Sequence, residues 1–544
     1  MAIFKGFLNY KSLILILFIL QLLYLLVGIN SIVNIYDEGV TVYGATRILE
    51  GDVPYKDFWT LYAPGQYYVL AAMFKLFGTS VLTERLWDTL ARLMLAFLVF
   101  LLSRKLTSNK IALIPWFISI IWLQAIHFYG YAMFPALAFS LLAILFLFYY
   151  FEKPQKSLLL ACGIAVGLAA LFRHDTGAYD LLVFGIMLIA FTFANLAKDN
   201  FSLIVKLMSL KALLPFFAGI LIVVALPVIY LISAVPIDTL VYDLIIFPIT
   251  VFPKVRSLPW PSFSLDTSIN DLILFYFPAF VYLASIVTIV LQIRQVLEYD
   301  KIKLWGVMVL TLFGLLLYSE GLNRGDRAHL LPGTIIATIL LLYMISLAIK
   351  RYRKDKVLIV AFLLLLLPIT IFIILPVSTW LLDVSQQPGF TLTNCIRRIG
   401  CVEVNHDEEE AAKYIVAHTG EGERIFVGLS RHDVVVLNDA FSYFLANRDS
   451  ASKYQELHPG VITTLPVQKE IVNDLKNQKV SYLVLFSQPK DFAKPNEGGR
   501  STGVVVLDKF IREKYQVVEE FGYYTVWKIK STSLLLSHSF AAQE

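Results

Sequence analysis

Long apolar runs separated by short polar gaps fill the chain up to about Trp380, among them Leu13 to Val33, Phe134 to Phe151, Leu213 to Ser233 and Val357 to Trp380. Each approaches or exceeds the ~20 residues that a helix needs to cross a hydrocarbon core. The same ruler gives about eleven spans, beginning near Leu13, Leu86, Ile111, Ala132, Ser157, Gly177, Lys211, Asp271, Leu304, Ala328 and Val357. The first run is too long for the apolar part of a signal peptide, and no small-residue cleavage pattern follows it. It is expected to persist as a span.

The pattern breaks twice. Asn34 to Arg85 is too long for a plain connector, and its stretch Tyr67 to Phe77 is amphipathic in a way that suits the membrane surface. After about Leu381 the chain turns soluble in character and holds 21 of its 41 acidic residues. There Glu408 to His418 has helical periodicity closed by Gly420, while Arg424 to Leu429, Val480 to Phe486 and Tyr523 to Ile529 read as strands. The expected fold class is therefore a polytopic α-helical membrane protein carrying a C-terminal extracytoplasmic α/β domain. The expected division is 1–380 for the membrane domain, with a large first outer loop at 34–85, and 381–544 for the second domain.

Composition agrees with the pattern: 58% of residues are hydrophobic, 16% are charged and mean hydropathy is +0.70, too apolar for one water-soluble core. Charge then supplies orientation. Lys5 and Lys11, Arg104 with Lys105 and Lys110, Lys153 and Lys156, Lys198 with Lys206 and Lys211, Arg294 with Lys301 and Lys303, and the Lys350 to Lys356 cluster fall in alternate gaps. The positive-inside rule makes those gaps cytoplasmic, so the N-terminus is expected inside and the C-terminal domain outside a plasma or inner membrane. The net charge of +5 is then a product of topology, and no nucleic-acid partner is expected. Cys162 lies within a span, whereas Cys395 and Cys401 fall on the outer side, where a disulfide and two free thiols are both open readings.

Candidate chemistry concentrates in the outer gaps. Asp37 and Glu38 follow the first span directly, and two adjacent carboxylates at a membrane boundary are costly unless a cation, metal or substrate uses them. One such carboxylate is suited to accept the proton of an attacking hydroxyl; the plain alternative is a pair of solvated loop acids. Arg173, His174 and Asp175 separate the fifth and sixth spans, and Glu320, Arg324, Asp326, Arg327 and His329 separate the ninth and tenth. Lys254 and Arg256 lie in a loop punctuated by Pro248, Pro253, Pro259 and Pro261, where a cation can hold a phosphate or face lipid headgroups. No HExxH or CxxC-type spacing and no GxSxG elbow occurs.

The stretches Tyr36-Asp-Glu-Gly39, Arg47 to Asp57, Tyr62-Ala-Pro-Gly-Gln-Tyr-Tyr68, Phe77-Gly78 and Arg85, with Gly167 to Asp175 later, resemble the GT-C glycosyltransferases. The likeness is greatest to bacterial relatives of dolichyl-phosphate-mannose protein mannosyltransferases and of the aminoarabinose transferases that modify lipid A. The resemblance implies a glycosyltransferase that takes a sugar from a polyprenyl-phosphate donor and passes it to a lipid, glycan or protein acceptor at the outer membrane face. It implies Asp37 as catalytic base, with Glu38 as its neighbour. Arg173, Lys254, Arg256, Arg324 and Arg327 are the cations available to a departing phosphate, with His174, Asp175, Asp326 and His329 beside them. The resemblance fixes no cofactor, and a divalent metal is left open. Aminoarabinose transferases carry an acidic-basic pair before the proline matching Pro64, where this chain has Leu61-Tyr-Ala, which argues against lipid A as acceptor. A secondary transporter and a non-catalytic scaffold are the alternatives from other classes. Transporters, however, usually place ionisable groups near the bilayer midplane in repeated halves, and no halves repeat here.

Overall fold

A computed structural model describes residues 10–126, 129–196, 210–295, 297, 300–352, 377–378, 398–487 and 495–530. Seven of the described helices are long and apolar enough to cross a membrane: Val81–Leu106, Met133–Glu152, one from His174 to about Asn195, Leu214–Ala234, Ile269–Ile293, Lys301–Asn323 and Arg327–Arg351. Three shorter apolar helices, Tyr10–Leu26, Leu113–Ala125 and Lys156–Phe172, occupy positions at which the hydrophobic pattern expects spans. The expected span at 357–380 lies almost wholly outside the described residues, as does Cys395. Cys401 is disulfide-bonded, and Cys162 is free and buried.

The helices pack through ordinary apolar contact and, at one place, through small residues. Lys156–Phe172 and Leu214–Ala234 lie so close that a Cβ on Gly163 would meet the Phe216 carbonyl oxygen at 1.9 Å, and one on Gly219 the Leu160 carbonyl oxygen at 2.3 Å. Without a hydrophobic drive inside lipid, such close approach is what holds neighbouring spans together. The opposite face of Leu214–Ala234 carries Leu221, Ile222, Leu226 and Ile229, all more than half exposed, as a lipid-facing surface requires.

Between Tyr10–Leu26 and Val81–Leu106 the chain forms two helices, Asp37–Glu50 and Gly65–Phe77. The C-terminal stretch builds a four-stranded sheet from β1 (Phe426–Leu429), β2 (Tyr482–Phe486), β3 (Tyr515–Phe521) and β4 (Tyr524–Ile529), in the order β1-β2-β4-β3. β1 and β2 are parallel and fully buried, as expected for apolar strands covered on both faces. β4 runs antiparallel to β2, and β3 pairs with it at the edge. Helices His406–His418, Phe441–Ala446, Leu465–Asn477 and Val506–Lys514 surround the sheet.

One hydrophobic core joins this region to the first loop: Tyr43, Leu70 and Phe74 cluster with Phe426, Phe444 and Leu485. Tyr43 stacks on Tyr443 with ring centroids 4.9 Å apart. Gly39 is the point of closest approach, because a Cβ there would meet the Phe441 backbone nitrogen at 2.7 Å. Val33 N donates to Glu403 O and Glu403 N donates to Asn30 O, both at 3.0 Å. The entry to the Asp37–Glu50 helix is thus held by a segment that lies far away in sequence.

Candidate active site

Asn34 organises the start of the Asp37–Glu50 helix. Its side-chain oxygen accepts from the backbone nitrogens of Tyr36 and Asp37 at 3.1 Å each, and its amide donates to Asp37 Oδ2 at 3.0 Å. This local side-chain-to-backbone pattern is a common way for asparagine to open a helix. It leaves two carboxylates in the first turn, where the helix dipole favours negative charge.

The adjacent acids have different surroundings. Glu38 is buried and binds Arg85 in a two-pronged pair, Nε to Oε1 at 2.7 Å and Nη2 to Oε2 at 2.9 Å. It also accepts from Asn34 N at 2.7 Å. Arg85 spends its remaining donors on the carbonyls of Ile29, Ser31 and Ile32 and lies over the Tyr129 ring. Asp37 is half-buried, and Asn34 is the only side chain that hydrogen-bonds its carboxylate among the described residues. Burial pushes the Asp37 carboxyl up to about 6, against the pull of Arg256, the Asn34 hydrogen bond and Arg324.

Arg256 closes the short Phe252–Arg256 helix and lies over the Tyr36 ring, 5.3 Å from its centroid. Its Nε is buried and has no hydrogen-bond partner among the described residues. The backbone around it is stitched to the start of another span: Arg324 Nη1 donates to Arg256 O at 3.0 Å and Gly325 N donates to Leu258 O at 3.1 Å. Arg324 Nε also donates to Asp326 Oδ2 at 2.7 Å, while Asp326 Oδ1 accepts from His329 N at 3.0 Å and meets His329 Nδ1 at 2.8 Å. Asp326 thereby caps the Arg327–Arg351 helix and orients both Arg324 and His329.

A second cluster lies alongside. Arg173 forms a two-pronged pair with Asp175 and reaches Glu320 at 3.3 Å. Tyr131 lies within electrostatic reach of Arg173, Glu320 and Asp326, which links the two clusters. Burial holds the His174 imidazole below its ordinary range.

Of the residues singled out from the sequence, Asp37, Arg256 and Arg324 are therefore brought into mutual electrostatic range, with Asp326 and His329 next to them. Lys254 is exposed. Arg327 is 54% exposed and pairs with Asp271 at 3.6 Å. The sequence reading missed Glu456, from the C-terminal region, and gave no role to Tyr36 and Tyr62. Tyr36 Oη donates to Glu456 Oε1 at 2.7 Å, and Tyr62 sits against the Tyr36 hydroxyl. Burial pushes the Glu456 carboxyl up to about 7, against the Tyr36 hydrogen bond and the Arg256 charge. Among the described residues no group of three His, Cys, Asp or Glu side chains is placed to hold a metal ion.

Solved structures share this architecture. ArnT from Cupriavidus metallidurans bound to undecaprenyl phosphate matches with a TM-score of 0.55 over 96% of this chain and 99% of that one, at 13% identity. The chain has the GT-C fold. The Archaeoglobus fulgidus oligosaccharyltransferase in its apo form matches with a TM-score of 0.53 at 13% identity, over 88% of this chain and 70% of that one. The complex of the same oligosaccharyltransferase with Zn and sulfate gives 0.50 at 14% identity, over 86% and 67%. No protein-family model matches the sequence, and no curated protein matches it either. With its run of apolar helices, the chain is a multi-pass membrane protein.

Proposed function

We propose that the protein is a glycosyltransferase that moves a sugar from a polyprenyl-phosphate donor to an acceptor hydroxyl at the outer membrane face. The observation that carries this reading is the half-buried Asp37 carboxylate beside Arg256, whose buried Nε has no partner among the described residues, within a GT-C fold. The neighbour bound to undecaprenyl phosphate supports a lipid carrier of that class as donor. The alternating basic gaps support an outer location for Asp37 and the C-terminal region, which on this reading form a membrane domain up to about residue 380 and a second domain after it.

In the reaction, the acceptor O–H gives its proton to Asp37 while its oxygen bonds to the anomeric carbon. The bond from that carbon to the phosphate oxygen breaks, and the electron pair leaves with the carrier phosphate. Arg256 and Arg324 steady the growing phosphate charge, the largest electrostatic change along the path. Glu38 acts through position: bound to Arg85 and Asn34, it fixes the turn that presents Asp37. With Asp37 acting as the base and no covalent sugar intermediate in this scheme, the transfer is a single displacement with inversion. A product with retained anomeric configuration would exclude it.

The test is mass spectrometry of cell-surface glycans and lipids from cells with and without the protein, which reports sugar and acceptor together. One sugar modification should disappear with the protein; unchanged surface glycans and lipids would sink the reading. Two finer outcomes follow from charge. Asp37 works as a base only when ionised, so the transfer rate should climb as pH rises through about 6 and fall on the acid side. Arg256→Ala should lower kcat/KM by about a hundred- to a thousandfold. The same variant should move that acid limb upward, because it removes the cation that favours the Asp37 carboxylate.

A further inference from the structure

Glu456 is a buried acid that the reaction above leaves without a task. Three hydrogen bonds hold its segment against the first loop: Ser450 N to Tyr43 Oη at 2.6 Å, Trp59 N to Lys453 O at 2.8 Å, and Arg47 Nη1 to Gln455 Oε1 at 3.2 Å. The side chain is 0% exposed. Tyr36 fixes one carboxylate oxygen, whereas Oε2 is buried without a hydrogen-bond partner among the described residues. A carboxylate oxygen left this way in the interior is costly, and a ligand that supplies a donor removes the cost.

The neighbourhood narrows what that ligand is. Glu456 and Asp37 both lie within electrostatic reach of Arg256, one supplied by the C-terminal region and the other by the first loop. In a glycosyl phosphate the anomeric carbon is one bridging oxygen away from phosphorus. A sugar whose phosphate meets Arg256 must therefore lie within a few bond lengths of that cation. Asp37 is engaged with the acceptor's proton, which leaves Glu456 to face the sugar ring.

We propose that Glu456 Oε2 accepts a hydrogen bond from a hydroxyl of the donor sugar and so selects which glycosyl carrier the protein takes. This rests on the reading that Arg256 holds the carrier phosphate. The Tyr36 hydroxyl orients the carboxylate, so the acceptor oxygen is presented in one direction, which is what discrimination between sugar epimers requires. A site built around such a buried acceptor rejects a sugar lacking the matching hydroxyl, because the oxygen is then left unpaired.

The test uses the full-length protein in lipid nanodiscs, with undecaprenyl phosphate and a panel of undecaprenyl-phosphate-linked hexoses and pentoses as probes. The unmodified protein should bind at least one glycosylated carrier about tenfold or more tighter than the bare carrier. Glu456→Ala should abolish the preference for the glycosylated carrier without weakening bare-carrier binding. Glu456→Gln keeps an acceptor oxygen and should retain part of the preference, and Tyr36→Phe should fall between. Preference undiminished in Glu456→Ala overturns the proposal. Equal weakening of bare and glycosylated carriers also overturns it, by making Glu456 structural. If the unmodified protein prefers no glycosylated carrier, the donor reading itself fails with it.

Discussion

Asp37→Asn is expected to lower turnover by about a hundred- to ten-thousandfold, the usual contribution of a positioned general base, with the fold retained. The two side chains are nearly the same shape, and an asparagine oxygen can still accept from the Asn34 amide that now meets Asp37 Oδ2 at 3.0 Å. What is lost is the ability to take a proton. The stability effect has a definite sign. The folded protein holds this carboxyl near 6, above its ordinary 3.8, so at neutral pH the charged form is disfavoured by folding. The neutral amide should then melt at the same temperature as the unmodified protein or slightly higher. Transfer assays and thermal unfolding in the same nanodiscs check both halves. A variant that still turns over would remove Asp37 from the reaction, and one that fails to fold would make it a structural acid. A scaffold or transporter would predict neither the loss nor its restriction to turnover.

Arg85→Ala should cost about 3–5 kcal/mol of stability, the range for breaking a buried ion pair from one side. Arg85 and Glu38 are 0% and 1% exposed, so removal of the guanidinium strands a carboxylate where water cannot reach it. The same arginine also binds three carbonyls of the segment that leads from Tyr10–Leu26 into the site. Activity should fall together with the melting temperature, because Glu38 and Asp37 share Asn34 as a hydrogen-bond partner. The paired variant Arg85→Met with Glu38→Leu should recover a large part of the lost stability, since replacing both charges leaves no orphan. Thermal unfolding of the two variants decides it. An Arg85→Ala protein that melts like the parent would show that the pair contributes nothing.

The apolar helices were legible because hydrophobicity is a local property that a window of one span reads directly; nearly every described span begins within a few residues of its expected start. The buried strands β1 and β2 were legible for the same reason, being continuous apolar runs. β3 was not. Its sequence YQVVEEF alternates poorly, its burial is slight, and it becomes a strand through pairing with β4 at the sheet edge. The helix Phe441–Ala446 is only six residues long. It gains its place by packing against Gly39, a contact that no local pattern announces.

The sequence by itself determined that the chain crosses a membrane repeatedly, that polar groups gather in the gaps, and that Asp37 and Glu38 stand at the head of a loop resembling a known motif. Adjacent acids look alike in a string of letters. Only the tertiary structure divided them, giving Glu38 to Arg85, 47 residues away, and leaving Asp37 facing Arg256. It also brought Glu456 to Tyr36 across 420 residues. The physical reason is that a charge in a low-dielectric interior is governed by whichever opposite charge or donor lies within a few ångströms. Chain order does not encode that distance; packing of the C-terminal region onto the first loop does.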